Sequence, residues 1–396
     1  MTKATIDDID VANKRVLLRV DFNVPLRKGR VGDDRRIREA LPTIEALRER
    51  GARVIIVTHL GRPGGQVDRS LSVQPVADRL GELLGVDVLV ARDVVGPSAE
   101  ATVAALSEGD VAMLENVRFE GGEERNDPAL AQRLAGLADV YVNDAFGAAH
   151  RAHASTEGIA RLLPAVAGYL MARELEVLGR VLGDARRPLV AVLGGAKISS
   201  KLGVLTNLLE RVDSLHVGGA MACTFFRAKG VQTGRSLVEE DQVQVARELL
   251  DSVGGHVLRL PVDVVVTVEP TEGAPTEVVD WDAIPEERMV VDVGPATVAA
   301  IEADVATAGT VVWNGPLGIY EVDAFARATR AVARALGESG AFTVVGGGDL
   351  GAAVEDAGVA DKIDFISTGG GASLEFLEGR TLPGVSALAD RPAVVP

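Results

Sequence analysis

Three groups of residues in this chain have the types and spacing that phosphate chemistry needs. Arg36, Arg62, Arg118 and Arg151 are spread over the first half, each at or just past the end of an apolar, β-branched run. One guanidinium from each of four connections reads as a basic cup for a phosphorylated anion. Lys197 and Lys201 are two of only seven lysines, and they follow Gly194 and Gly195 within one short stretch. The third group lies in Phe342 to Val354, where an apolar run enters Gly346, Gly347, Gly348 and Asp349 and an Ala-rich segment leaves. That reads as strand, tight turn and helix, with bare backbone N–H groups where an anion would sit. Asp349 would repel a pyrophosphate there unless a metal ion stood between them. Amides and cations for a polyphosphate, a carboxylate for magnesium and a separate site for the other substrate are the parts of phosphoryl transfer. Little bond-making falls to side chains in that reaction, so positioning and charge neutralisation supply the catalysis.

Other chemistries fit less well. His59, His150, His153, His216 and His256 show neither H-E-x-x-H nor Cys/His spacing, which argues against zinc. There is no G-x-S-x-G nucleophile elbow and no Walker G-x-x-x-x-G-K-[ST] run. Gly346, Gly348 and Gly351 do satisfy G-x-G-x-x-G, which leaves a NAD-dependent dehydrogenase as the alternative. Its ribose acid would have to be Asp361 or Asp364, and both precede the next strand rather than end it.

The elements that must position these groups alternate. Arg15 to Pro25, Ala52 to Pro63, Asp87 to Val90, Asp110 to Phe119 and Val140 to Gly147 read as strands. Helical spacing occupies Arg35 to Arg50, Ser72 to Leu84 and Pro128 to Leu137 between them. The second half repeats the pattern with strands at Leu189 to Leu193, Ser214 to Ala220, Leu258 to Thr267, Met289 to Gly294, Thr310 to Gly318, Phe342 to Gly346 and Ile363 to Ala372. Polar residues and glycines collect past the C-terminal ends of the strands, where open α/β sheets place ligands. The fold class is therefore α/β, with two doubly wound, parallel-sheet, Rossmann-like domains. The expected division is 1–167, a connecting helix and hinge over 168–187, a second domain over 188–373, and a terminal segment over 374–396.

With 396 residues, 47% of them apolar and 4% aromatic, the chain can bury a large core in two domains. A net charge of −16 argues against nucleic acid or an anionic membrane as partner. The lone Cys223 excludes an internal disulfide, reads as a buried apolar residue and fits a reducing cytoplasm. No apolar run reaches membrane length, and the N-terminus lacks the apolar core of a signal peptide.

From end to end the motifs resemble those of the phosphoglycerate kinase family. In the first half these are Arg19 to Pro25, Arg36-Ile37, His59 to Pro63, Leu114 to Phe119, Asn143 to Gly147 and Ala149 to His153. In the second they are Gly194 to Lys197 with Lys201, Trp313 to Pro316, Gly346 to Asp349 and Ser367 to Ala372. The resemblance implies reversible, magnesium-dependent, in-line phosphoryl transfer from 1,3-bisphosphoglycerate to ADP, giving 3-phosphoglycerate and ATP, after closure of two domains across a cleft. It implies that Asp21 and Asn23 hold the glycerate portion, that Arg62, Arg118 and Arg151, with His59, bind its non-transferred phosphate, and that Phe22, Leu60 and Gly61 belong to the same substrate site. Arg36 would meet the reacting carboxyl, and Lys197, Gly348 and Gly371 the phosphoryl group in flight. Lys201, Gly219, Gly294, Asn314, Pro316, Glu321, Gly347, Gly348, Asp349 and Leu350 would bind the nucleotide, with Asp349 reaching magnesium. A cytoplasmic monomer is implied too. Two positions depart from the pattern: Ala220 replaces a common glycine, and Leu350 stands where the family usually has Ser or Thr. The missing hydroxyl removes about 0.5–2 kcal/mol if it capped the helix. A scaffold that binds nucleotide with weakened catalysis is therefore the further alternative.

Overall fold

The computed structural model describes residues 2–252 and 257–391. The side chain of Asp349 and all of His256 lie outside the described residues. The chain divides into two compact units, one running through Glu176 and resuming at Thr381, the other Val177–Arg380. The chain thus rejoins the first unit at Thr381, and the helix Tyr169–Gly183 runs through the first division.

The first unit contains β1 Arg15–Arg19, a short hairpin of β2 Leu26–Arg27 and β3 Arg30–Val31, then β4 Arg53–Val57 and β5 Val88–Val90. After these come β6 Val111–Met113, β7 Val140–Asn143 and β8 Ala165–Ala167. Six of them form one sheet in the order β5-β6-β4-β1-β7-β8, parallel at every pairing. Strands covered on both faces must be apolar throughout, as Val16, Leu18, Val54, Ile56, Val140 and Val142 are. The helix Arg35–Glu49 buries Ile37, Ala40, Ile44 and Leu47, one apolar stripe at helical spacing, in that same core. The terminal stretch closes this unit: Lys3 Nζ donates to the Leu388 carbonyl at 2.9 Å and to Asp390 at 2.8 Å.

The second unit contains β9 Leu189–Leu193, β10 Ser214–Val217, β11 Leu258–Arg259, β12 Asp263–Thr267 and β13 Glu277–Asp280. It continues with β14 Met289–Val293, β15 Thr310–Asn314, β16 Phe342–Gly346 and β17 Phe365–Ser367. The main sheet is parallel in the order β11-β10-β9-β15-β16-β17. Here the structure corrects the expected run of strands. Leu258 to Thr267 is two strands, because Pro261 between them has no N–H for a ladder. β12, β13 and β14 form a separate antiparallel sheet, so Met289–Val293 does not join the parallel one. Among the described residues, no helix is long and apolar enough to cross a membrane.

Candidate active site

In the first unit the singled-out residues gather at the carboxyl edge of four strands that are neighbours in the sheet, β6, β4, β1 and β7. The stretch after β1 supplies Asp21, Phe22 and Asn23; that after β4 supplies His59, Leu60, Gly61 and Arg62. Arg118 follows β6 and Arg151 follows β7. Arg36, in the first turn of Arg35–Glu49, donates from Nη1 to Asp21 Oδ2 at 2.8 Å. Phe22 is buried and donates its N–H to Thr58 Oγ1 at 3.0 Å. Asn23 Oδ1 accepts from the Gly61 amide at 2.9 Å, and Arg118 Nη1 donates to the Gly61 carbonyl at 2.8 Å. Arg151 Nε donates to His150 Nε2 at 3.1 Å. Arg62 is exposed, and its side chain makes no hydrogen bond or ion pair among the described residues.

His59 is nearly enclosed, and its surroundings set its charge. Burial, then the charges of Arg19, Arg118, Arg36 and Arg151, hold its imidazole well below the usual 6.5. It is therefore a neutral hydrogen-bonding ring among cations at pH 7. Burial, opposed by Glu124, also lowers the Arg118 guanidinium. Both shifts come first from burial of the group, with neighbouring arginines adding to it, so a bound anion would compensate positive charge that the fold has desolvated.

Two residues of this cup escaped the functional assignments made from sequence. Arg19 is 1% exposed and bonds His59. Its signal was a charge ending an otherwise apolar strand. Asn116 is fully buried; its amide donates to the Leu60 and Leu71 carbonyls at 2.7 and 2.9 Å, and its Oδ1 accepts from Leu60 N at 3.2 Å. It ties the β4 loop to the β6 loop, a role visible only once the strands are neighbours.

In the second unit, β9, β15 and β16 end around a cleft of about 300 Å³, with Gly195, Lys201, Asn314, Pro316, Gly347 and Leu350 in its walls. Lys201 is buried, and Nζ donates to Asn314 Oδ1; Asn314 Nδ2 donates to the Gly346 carbonyl at 2.9 Å. No carboxylate pairs with this ammonium among the described residues, and burial lowers it from 10.5 to about 8. Lys197 is exposed, and its side chain has no partner among the described residues. Gly219 backs the cleft: with φ +71°, a Cβ there would lie 2.4 Å from the Gly195 carbonyl oxygen, so only glycine allows that approach. Gly347, at φ +107°, is the N-cap of the helix Gly348–Asp356 and turns the chain out of β16. Gly348 is the exposed first residue of that helix and Asp349 its second; Gly371 likewise opens Gly371–Leu377.

Two expectations change here. Position 350 is not the cap: Gly347 is, and Leu350 is fully buried beside Trp313, Val345 and Val354. The 350 hydroxyl usual in the family is therefore not missing as an N-cap. Gly294 ends β14 and caps the helix Pro295–Thr307, whose Ala296 and Thr297 amides donate to Asp263 at 2.9 and 2.7 Å. Glu321 is exposed in the segment after β15. The dehydrogenase alternative loses its ribose acid. Asp364 accepts from Thr343 N at 2.8 Å, near the start of β16, while the glycine turn lies at the end of that strand. Cys223 is fully buried, and burial pushes its thiol up to about 12, which leaves it inert at neutral pH.

An arginine cup on one parallel sheet and a glycine-walled lysine cleft on another define an α/β phosphotransferase. A family model described as phosphoglycerate kinase matches residues 6–380. Phosphoglycerate kinases of Moorella thermoacetica and Pelotomaculum thermopropionicum are each 56% identical over 393 residues, spanning 99% of this chain and 100% of theirs. Among solved structures, phosphoglycerate kinase of Coxiella burnetii is 42% identical with a TM-score of 0.87, covering 97% of this chain and 98% of its own. That of Pyrococcus horikoshii is 36% identical, also at 0.87, with 98% of each chain covered. The chain belongs to the phosphoglycerate kinase family, and its reaction is phosphoryl transfer to or from the carboxyl group of phosphoglycerate, with a nucleotide as the other substrate.

Proposed function

We propose that the cup on the first sheet holds 3-phosphoglycerate or 1,3-bisphosphoglycerate and that the Lys201 cleft holds ADP or ATP. The observation that carries this reading is the convergence of Arg19, Arg36 and Arg118 with His59 and Gly61 on the carboxyl ends of strands that are neighbours in the sheet. Arg62, Arg118, Arg151 and His59 bind the non-transferred phosphate, because guanidinium forks match its oxygens. Asp21 and Asn23 orient the glycerate. Arg36, held by Asp21 at 2.8 Å, faces the reacting carboxyl. Lys201 binds the polyphosphate as the missing counter-charge to its own buried ammonium, and Lys197 neutralises charge on the phosphoryl group in flight.

Among the described residues, no group of three or more His, Cys, Asp or Glu could hold a metal ion alone. The donor chemistry instead suits magnesium that arrives with the nucleotide and shares the single carboxylate of Asp349 in the glycine turn. When bound, the ion would offset charge on the β- and γ-phosphates. The same reading makes the chain a cytoplasmic monomer, which sedimentation would check.

A coupled assay with 3-phosphoglycerate, ATP and magnesium tests the reaction; no turnover at saturating ATP overturns it. Arg62→Ala tests the assignment of substrates. We expect KM for 3-phosphoglycerate to rise about tenfold to a hundredfold, the worth of one charged hydrogen bond, with KM for ATP little changed. Equal rises for both substrates would show that the two sites are wrongly assigned.

A further inference from the structure

Behind the cup runs a buried polar chain that the binding roles above do not use. Arg19 Nε donates to Ser155 Oγ at 2.9 Å, Nη1 donates to the Val20 carbonyl, and Nη2 meets His59 Nδ1 at 3.1 Å. Ser155 in turn donates its hydroxyl to Glu123 Oε1 at 2.6 Å and its amide to Glu123 Oε2 at 3.0 Å. Glu123 and Ser155 are fully buried and Arg19 nearly so. The sequence Glu123, Ser155, Arg19, His59 therefore links a buried carboxylate to the imidazole through unbroken hydrogen bonds.

The polarity of this chain is determined by what each group can do. A guanidinium offers N–H donors and no acceptor, so the ring nitrogen that meets Nη2 must present a lone pair. Nδ1 of His59 is thus unprotonated. The nearest carboxylate oxygen, Asp21 Oδ1, lies 3.9 Å from Nδ1, too far to hold a proton there by a hydrogen bond. A neutral imidazole carries one ring proton, which leaves it on Nε2. A phosphate oxygen accepts hydrogen bonds and is repelled by a lone pair. The Nε2–H tautomer is the one that favours binding it, and the Nδ1–H tautomer with a bare Nε2 is the one that opposes it.

We propose that Arg19 is a positioning residue: it fixes His59 as the Nε2–H tautomer, so the ring meets the substrate phosphate as a donor, while Glu123 anchors Arg19 through Ser155. The substrate half of this statement rests on the assignment of His59 to the phosphoglycerate under Proposed function. The tautomer half does not, since it follows from contacts within the free protein. Arg19 is too enclosed to act mainly as a surface cation, and each of its three side-chain nitrogens already has a partner, in Ser155, Val20 and His59. Burial raises the Glu123 carboxyl and the Arg19 charge opposes that rise, so the two enclosed groups offset one another across Ser155.

The test is nitrogen-15 NMR of the histidine rings in the full chain without ligand, paired with steady-state kinetics. Wild-type His59 should show protonated Nε2 and unprotonated Nδ1. In Arg19→Met the ring should become a tautomer mixture, with KM for 3-phosphoglycerate raised about tenfold to a hundredfold and kcat within about twofold. Because Arg19→Met leaves Glu123 unpaired, Arg19→Met with Glu123→Gln removes both charges and should give the same two readouts if the single variant does not fold. A wild-type ring protonated on Nδ1, or a variant whose tautomer is unchanged, overturns the proposal. His59→Ala separates the two halves: an unchanged KM for 3-phosphoglycerate overturns the binding assignment while leaving Arg19's hold on the ring to be read by NMR.

Discussion

At the scale of single residues, Lys201 and Leu350 show how burial decides what a side chain does. Lys201 is an ammonium with only a neutral amide beside it, so its proton is loosely held at about 8. A bound polyphosphate would favour the charged form. Nucleotide binding above pH 8 should therefore take up close to one proton, and affinity should fall as the pH rises past that value. Calorimetry in two buffers of different ionisation enthalpy measures the uptake; its persistence in Lys201→Met would assign it elsewhere. Leu350 belongs to the core despite its place in a phosphate turn. Leu350→Ser should cost about 2–5 kcal/mol, as large-to-small core changes do, without tightening nucleotide binding. Urea unfolding and an ADP titration check this together; a stable, tighter-binding variant would show that the position is functional rather than structural.

At the scale of elements, the site is a property of strand order. No two of Arg36, Arg62, Arg118 and Arg151 are close in sequence, yet β6, β4, β1 and β7 lie side by side. Asn116 joins two of the resulting loops through Leu60 and Leu71. Asn116→Ala leaves those buried backbone groups unpaired, so we expect a loss of about 2 kcal/mol or more. KM for 3-phosphoglycerate should rise, because Arg118 reaches Gly61 across the same junction. Unchanged kinetics in a destabilised variant would limit Asn116 to holding the fold. The alternating pattern in the sequence showed that such loops exist; it could not say which are neighbours, since strand order depends on contacts between distant segments.

At the scale of the whole molecule, the histidines make stability depend on pH. His59 is held well below 6.5 and His153 falls to about 4, both chiefly through burial and then nearby arginines. The unfolded chain would protonate both near 6.5. Their contribution is therefore full above pH 6.5 and is lost as the pH falls towards 4. Asp144 works against them: burial raises its carboxyl to about 6, so its contribution is present below about 3.8 and lost as the pH rises through 6. Burial raises the Glu123 carboxyl as well, so the histidine share is read by comparison: the melting temperature of the first unit should drop more steeply between pH 6.5 and 4 in wild type than in His153→Gln. Calorimetry of wild type against His153→Gln measures it; an identical slope in the two proteins would remove His153 from the account.

What the sequence alone determined was local. Apolar runs bounded by Gly and Pro specified the parallel strands, and motif order along the whole length identified the family. Arg36, Lys201 and the Gly346 turn could be picked out because their types are tied to adjacent backbone signals. The tertiary structure decided what depends on distant partners. It split Leu258 to Thr267 between two sheets, buried Leu350, made Gly294 the cap of a helix whose first amides meet Asp263, and revealed Arg19 as the guanidinium against His59. The physical reason is common to all four: a side chain's exposure, charge and hydrogen-bond partners are set by the segments packed against it, and those segments lie far away along the chain.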